Sequence, residues 1–304
     1  MRTAFSVLAL MGIISSAHAA VDIEAALSKV RTSCGGISEE LNTMKTLAGI
    51  GTAVSAVGTV AGGAAVATGV MKNNTDAEIA TKMAELINKQ LIGNDGKWKR
   101  IEPGYVKKAW NEFKNSDEGS VLNKKSETLG NIRTGTLAAT TATNIAGAAV
   151  GGVNMKKARG SLSEQVSECL ASVKELSAAY GQARISRTAS DEDLGRIETI
   201  VRVCNEWSTV DLSKIDNRAT GAFASSVVGA ATGAAGTITS ALSNTDEMRM
   251  ANNQKEKNLN TASNVLAGTA TVASGAATIF NATQISVIKR ASTVADACEG
   301  ALKY

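Results

Sequence analysis

The side chains able to do chemistry are few and far apart. Cysteine stands at Cys34, Cys169, Cys204 and Cys298, and the one histidine among 304 residues is His18. An even set of cysteines reads as two disulfides in an exported chain, against four buried free thiols in a reduced one. His18 falls in a stretch with the marks of a secretory leader. Arg2 is followed by the apolar run "AFSVLALMGII" over 4–14 and by Ala17-His18-Ala19, a small-x-small cleavage site. Residues 1–19 are therefore read as a signal peptide, and a mature chain starting near Ala20 has no imidazole. That excludes Ser-His and Cys-His nucleophile pairs, histidine metal ligands and a histidine base. No carboxylate pair or Ser-Lys dyad stands out from an ordinary helix face. Gly49-x-Gly51 only imitates a phosphate loop, because position 54 is valine and no strand precedes it. The expectation is a protein without catalysis, metal, cofactor or small-molecule substrate.

One stretch carries binding chemistry. "KWKRIEPGYVKKAWNEFKN", 97–115, interleaves basic and aromatic residues, and Trp98, Lys99, Arg100, Tyr105, Lys107, Lys108, Trp110 and Phe113 are its candidate contacts. Eight basic and four acidic residues lie between Lys97 and Lys125, in a chain whose net charge is only +4. Such a mixture suits a lipid headgroup zone, an anionic envelope polymer or a protein partner. The competing reading is a satellite core with a solvated basic face, since Trp110 and Phe113 share one side of a helix. The overall charge is too small and too dispersed for nucleic acid.

The elements that position these residues are helices. Proline occurs once, at Pro103, and aromatics make up 3% of the chain, which favours long uninterrupted helices over β-sandwiches or barrels. Each cysteine sits on an apolar seam with steps of three and four. The seams are Ile23, Leu27, Val30, Cys34, Ile37 and Leu41; Leu162, Val166, Cys169, Val173 and Leu176; Leu194, Ile197, Val201 and Cys204; and Val287, Ala291, Val294, Cys298 and Ala301. Seventeen residues beyond Cys34 and Cys204 lie Gly51 and Gly221, and four-residue steps then pair Ser55 with Ser225, Thr59 with Gly229, and Gly63 with Gly233. The expected fold is all-α, two long antiparallel helical hairpins related by internal duplication. The signal peptide is followed by hairpin 1 over 20–181, with a helical tip insertion at 73–131 opened by a Thr75–Glu78 capping box, and by hairpin 2 over 182–304. Cys34–Cys169 with Cys204–Cys298 would clamp each hairpin. Cys34–Cys298 with Cys169–Cys204 fits if all four helices are bundled.

Four uncharged runs, 46–71, 134–155, 219–245 and 258–288, connect the cysteine segments to the tips. Each is long enough to span a bilayer, which takes about 20 residues. They are rich in Ala, Gly, Ser, Thr and Asn rather than Leu, and such runs insert poorly as single helices. Small residues favour close contact between backbones, so Gly51, Ser55, Gly58, Gly62, Gly63, Gly147, Gly151, Gly221, Ser225, Gly229 and Gly233 are the expected packing positions of glycine-zipper segments. The functional expectation is an exported, non-enzymatic envelope protein of the periplasm, outer envelope or exterior. It would act as a helical scaffold or self-assembling subunit, with a second copy or another envelope protein as partner. The alternative is a membrane-inserting glycine-zipper oligomer that forms a pore or channel.

Overall fold

The structure is a computed structural model that describes residues 23–92, 104–187, 189–245, 248 and 254–303. The leader read at 1–19 lies outside the described residues. Among those described there is no β-strand, and the chain is a succession of helices. Helix α1 covers 23–34 and ends at Gly36, whose φ of 86° lets the chain turn where a side chain would be strained. Then follow α2 (Ile37–Leu91), α3 (Tyr105–Asn115) and α4 (Asp117–Lys157). A π turn (Ala158–Leu162) leads directly into α5 (Ser163–Ser186). Next come α6 (Asp191–Cys204), a 3-10 turn (Asn205–Thr209), α7 (Leu212–Ser243) and α8 (Gln254–Leu302). The caps follow helix electrostatics. Ser190 Oγ accepts the Asp193 amide ahead of a first turn of Asp191, Glu192 and Asp193, while α4 opens on Asp117 and Glu118 and closes on Lys156 and Lys157.

The capping box expected at Thr75 does not start a helix. With no proline or glycine between Met71 and Leu91, α2 continues for 55 residues, and the Thr75 hydroxyl donates back to the Met71 carbonyl at 3.0 Å.

The chain forms two compact units. The first comprises Met1–Ile50, Val150–Thr220 and Phe280–Tyr304, the second Gly51–Ala149 and Gly221–Ile279. Each draws on both halves of the sequence. The first, the cysteine unit, has a conventional apolar core. Val30, Ile37, Leu41, Met44, Val166, Leu176, Ile200, Trp207, Ile215 and Ile288 are buried together, as their three-and-four spacing requires. Its two disulfides join Cys34 to Cys169 and Cys204 to Cys298, with Cα–Cα separations of 4.6 and 4.7 Å. Polar pairs surround this core: Lys29 with Glu175 at 2.6 Å, Arg159 with Asp216 at 2.7 Å, and Ser38 Oγ donating to Asp296 at 2.6 Å.

Candidate functional site

Along its uncharged runs the second unit is built on small residues, and there its inside and outside are the reverse of the first. On α2 the buried positions are Gly51, Ser55, Gly58, Gly62, Ala65, Gly69 and Lys72. On α4 they are Arg133, Leu137, Thr140, Asn144 and Gly147; on α7 Ala222, Ser226, Gly229, Gly233, Gly236, Ser240 and Ser243; on α8 Asn260, Ser263, Ala267, Ala270, Ser274 and Ala277. All alternate steps of three and four, which keeps one seam facing its neighbours. Within this unit the helices pair antiparallel. A Cβ on Gly58 would lie 2.7 Å from Thr143 Oγ1, one on Gly62 2.3 Å from Thr271 Oγ1, one on Gly147 2.9 Å from Ser226 Oγ and one on Gly233 2.6 Å from Thr141 Oγ1. A Cβ at any of them would force the facing hydroxyl to move, and at Gly62 and Gly233 it would also crowd facing backbone at 3.2 and 3.4 Å.

The interior is also polar. Asn144 is 1% exposed, accepts from Ser274 Oγ at 3.0 Å and donates to the Thr140 carbonyl at 2.9 Å. Ser263 Oγ donates to the Gly236 carbonyl at 3.1 Å, and the hydroxyls of Thr134 and Ser240 meet at 2.9 Å. The one purely apolar cluster inside these seams is Ala65, Leu137 and Ala267, with Val66 at its edge. The large aliphatic residues point the other way. Val60 is 75% exposed, Val272 73%, Val265 63% and Ile238 61%, and Val57, Val70, Ile145, Val227, Val228, Leu242 and Ile279 are exposed with them. A protein in water puts such residues inside and hydroxyls and carboxamides outside. Three helical stretches, Ile23–Leu91, Leu212–Ser243 and Lys255–Leu302, are long and apolar enough to cross a membrane by length and composition.

Charge enters the unit's interior just beyond the uncharged runs. Lys72 and Arg133 are both 0% exposed. Lys72 Nζ donates to Asp76 at 2.5 Å and lies 3.8 Å from Glu256. Asp76 also accepts from Ser126 Oγ at 2.5 Å and from Asn260 Nδ2 at 3.3 Å, while Arg133 donates to the Asn260 carbonyl at 3.0 Å and to its Oδ1 at 3.3 Å. Three helices are tied by one network in which each buried charge faces an opposite charge or a dipole. None of these residues was expected from sequence. Their signal was positional: Lys72 closes one uncharged run with Asp76 one turn later, and Arg133 opens the next.

The tip residues divide into core and surface. Trp110 and Phe113 are buried with Ile79, Met83, Ala109 and Leu122, their ring centroids 6.0 Å apart. They are therefore not free contacts, and the satellite core holds them, because α3 must cover the apolar face of α2 over 79–87. Tyr105 is partly buried and donates to Gln90 Oε1 at 3.0 Å; Lys107 and Lys108 are exposed. Trp98, Lys99 and Arg100 lie outside the described residues. A cavity of about 210 Å³ beside this core is lined by Asp76, Ile79, Met83, Val106, Trp110 and Glu256.

The expected packing residues divide too. Gly51, Ser55, Gly58, Gly62, Gly147, Gly151, Gly229 and Gly233 are buried, Gly221 and Ser225 are half-buried, and Gly63 is exposed with no atom within 4 Å of a Cβ built on it. A run of four-residue steps drifts by about 40° per step around a helix of 3.6 residues per turn. By the third step Gly63 has turned off the seam, and the ladder passes through Gly58, Gly62 and Ala65 instead. In the cysteine unit, burial pushes the Glu40 carboxyl up. Hydrogen bonds from Lys157 at 2.8 Å and Ser161 at 2.5 Å outweigh that and hold it below its ordinary value. No protein-family model, curated protein or solved structure matches this chain.

Proposed function

We propose that the uncharged helical runs of the second unit are embedded in a lipid bilayer, making the chain a membrane-inserted, non-enzymatic protein of the cell envelope whose cysteine helices lie in water on the oxidising side. The observation that carries this reading is the inverted polarity of the second unit. Hydroxyls and carboxamides are buried between close-packed backbones, several bonded across helices, as Ser274 to Asn144 and Ser263 to the Gly236 carbonyl, while valine and isoleucine face outward. In hydrocarbon the apolar outer surface costs nothing, and helices associate through small residues and interhelical hydrogen bonds. The glycine ladders then act as a zipper within one chain, and the matching ladders after Cys34 and Cys204 fit a duplicated hairpin. Weak average hydropathy suits a segment that inserts as a preformed or cooperative bundle rather than helix by helix.

The conventional core of the cysteine unit favours the second reading, a water-facing scaffold that self-assembles through the outward valines. Carbonate extraction and flotation on phosphatidylethanolamine–phosphatidylglycerol vesicles separate the two. The membrane reading expects protein that stays with the lipid at alkaline pH and releases no trapped dye. Full recovery of monodisperse protein in the carbonate supernatant would sink it, and dye release would replace a closed bundle with a pore.

A further inference from the structure

We infer that all four uncharged runs cross the bilayer, with every cysteine on its oxidising face and the segments 72–133 and 246–257 on the opposite face; the inference rests on the membrane reading above. Three of the runs lie in stretches apolar enough to span, and the fourth, 134–155 in α4, does not. The disulfides decide its course. Cys34 precedes the run 46–71 and Cys169 follows the run 134–155, yet the two sulfurs are bonded. If 46–71 crossed and 134–155 did not, the partners would stand on opposite faces and could not meet. The run in α4 must therefore cross whenever the run in α2 does, its buried Thr140, Asn144 and Gly147 shielded from lipid by the neighbouring seams. Cys204 and Cys298 are likewise separated by two runs and bonded.

An even number of crossings between each pair puts all four cysteines on one side. Disulfides persist where the compartment is oxidising, so that side is the export side. The exposed Lys107 and Lys108, and the satellite core that holds α3, are thereby presented to the reducing compartment.

The native cysteines are all bonded, so a membrane-impermeant maleimide reads only an introduced thiol. Full-length Thr199→Cys and Lys108→Cys, both at exposed positions, are labelled in sealed spheroplasts, with Arg196→Cys and Lys107→Cys as a second pair. Non-reducing peptide mapping checks that each variant keeps both native disulfides. The expected result is complete labelling of Thr199→Cys, with labelling of Lys108→Cys at least tenfold lower until detergent is added. Equal labelling of both in carbonate-resistant protein overturns the four crossings but leaves the membrane reading standing. Protection of Thr199→Cys with labelling of Lys108→Cys overturns the orientation. Equal labelling in protein that carbonate removes defeats the membrane reading itself.

Discussion

Alanine at two adjacent glycines offers the sharpest test of the close-packed seams. Gly62 and Gly63 sit in the same uninterrupted helix, so replacing either by alanine gains the same intrinsic helix propensity, about 1 kcal/mol. Their surroundings differ. At Gly62 a Cβ would lie 2.3 Å from Thr271 Oγ1 and 3.2 Å from Thr271 Cα, and the second of these is backbone, which no rotamer change relieves. At Gly63 nothing lies within 4 Å. Overpacking a tight interface costs about 1–3 kcal/mol. Gly63→Ala should therefore stabilise by about 1 kcal/mol, while Gly62→Ala should range from neutral to about 2 kcal/mol destabilised once its own propensity gain is included. The propensity contribution cancels in the comparison and leaves a gap of about 1–3 kcal/mol that reports backbone approach alone. Thermal unfolding in detergent micelles, followed at 222 nm, converts this to a difference of roughly 2–10 °C between the two midpoints. If Gly62→Ala melts with or above Gly63→Ala, α2 and α8 do not approach as described, and the seam argument fails with them.

Three further outcomes follow from the interior chemistry. Asp76→Ala strands the buried Lys72, for which breaking a buried pair costs about 3–5 kcal/mol; because Glu256 remains 3.8 Å away, the lower figure is expected, and Asp76→Ala with Lys72→Met should recover part of it in chemical denaturation. A single mutant as stable as the parent would show that the network contributes nothing. Cys34–Cys169 closes a sequence separation of 135, worth about 5 kcal/mol in the chain-entropy account, so Cys34→Ala with Cys169→Ala should lower the denaturant midpoint more than any single glycine change. Because the folded Glu40 carboxyl titrates below its ordinary value, it favours the folded state above the unfolded-state pKa, and that contribution is lost as pH falls through the depressed one. Glu40→Gln should flatten the acid limb of the stability profile below about pH 4, and an unchanged limb would assign acid sensitivity to other carboxylates.

Much of the helical order was legible because it depends on period. A single proline and three-and-four apolar seams through each cysteine are signals that tertiary context rarely reverses, and they are reproduced in the buried set around Cys34, Cys169, Cys204 and Cys298. The inward face of the small-residue helices was not legible in the same way. Where Gly, Ala, Ser and Thr fill every position, no face is apolar and another polar, so the only guide was glycine spacing, and counting in fours from Gly51 added Gly63, which is exposed, to Gly58 and Gly62, which are buried. The polarity of the bundle is a relation between helices: Asn144 is interior because Gly229 leaves room for its side chain, whose atoms lie 2.7 Å from where a Cβ would be. Asp76 and Arg133, 57 positions apart, become neighbours only through Asn260. Thr75 with Glu78 matched a capping pattern, but a cap needs a break in the preceding helix, and "VMKNN" contains none.

Small-residue seams raise a problem that their flanking chemistry answers. A ladder such as Gly51, Ser55, Gly58, Gly62, Ala65 and Gly69 on α2 repeats every seven residues, so sliding the helix by one repeat preserves most of its contacts. The outward-facing valines would not object, since they are exposed and pack into no seam in either register. A slide of seven residues is about 10 Å along the helix axis. Lys72, Asp76, Ser126, Arg133 and Asn260 cannot tolerate such a slide, because it would leave two buried cations without partners. The disulfides cannot tolerate it either, since a bridged pair holds its Cα atoms within about 7 Å. Specificity in this chain therefore resides where the small-residue ladders end, in a few charged and sulfur-bearing side chains, while the ladders between them supply close contact with little information about register. The glycine substitutions should accordingly change stability without changing disulfide connectivity. Loss of the Lys72 and Asp76 pair together with Cys34–Cys169 should produce mixed registers, visible as doubled amide signals from α2.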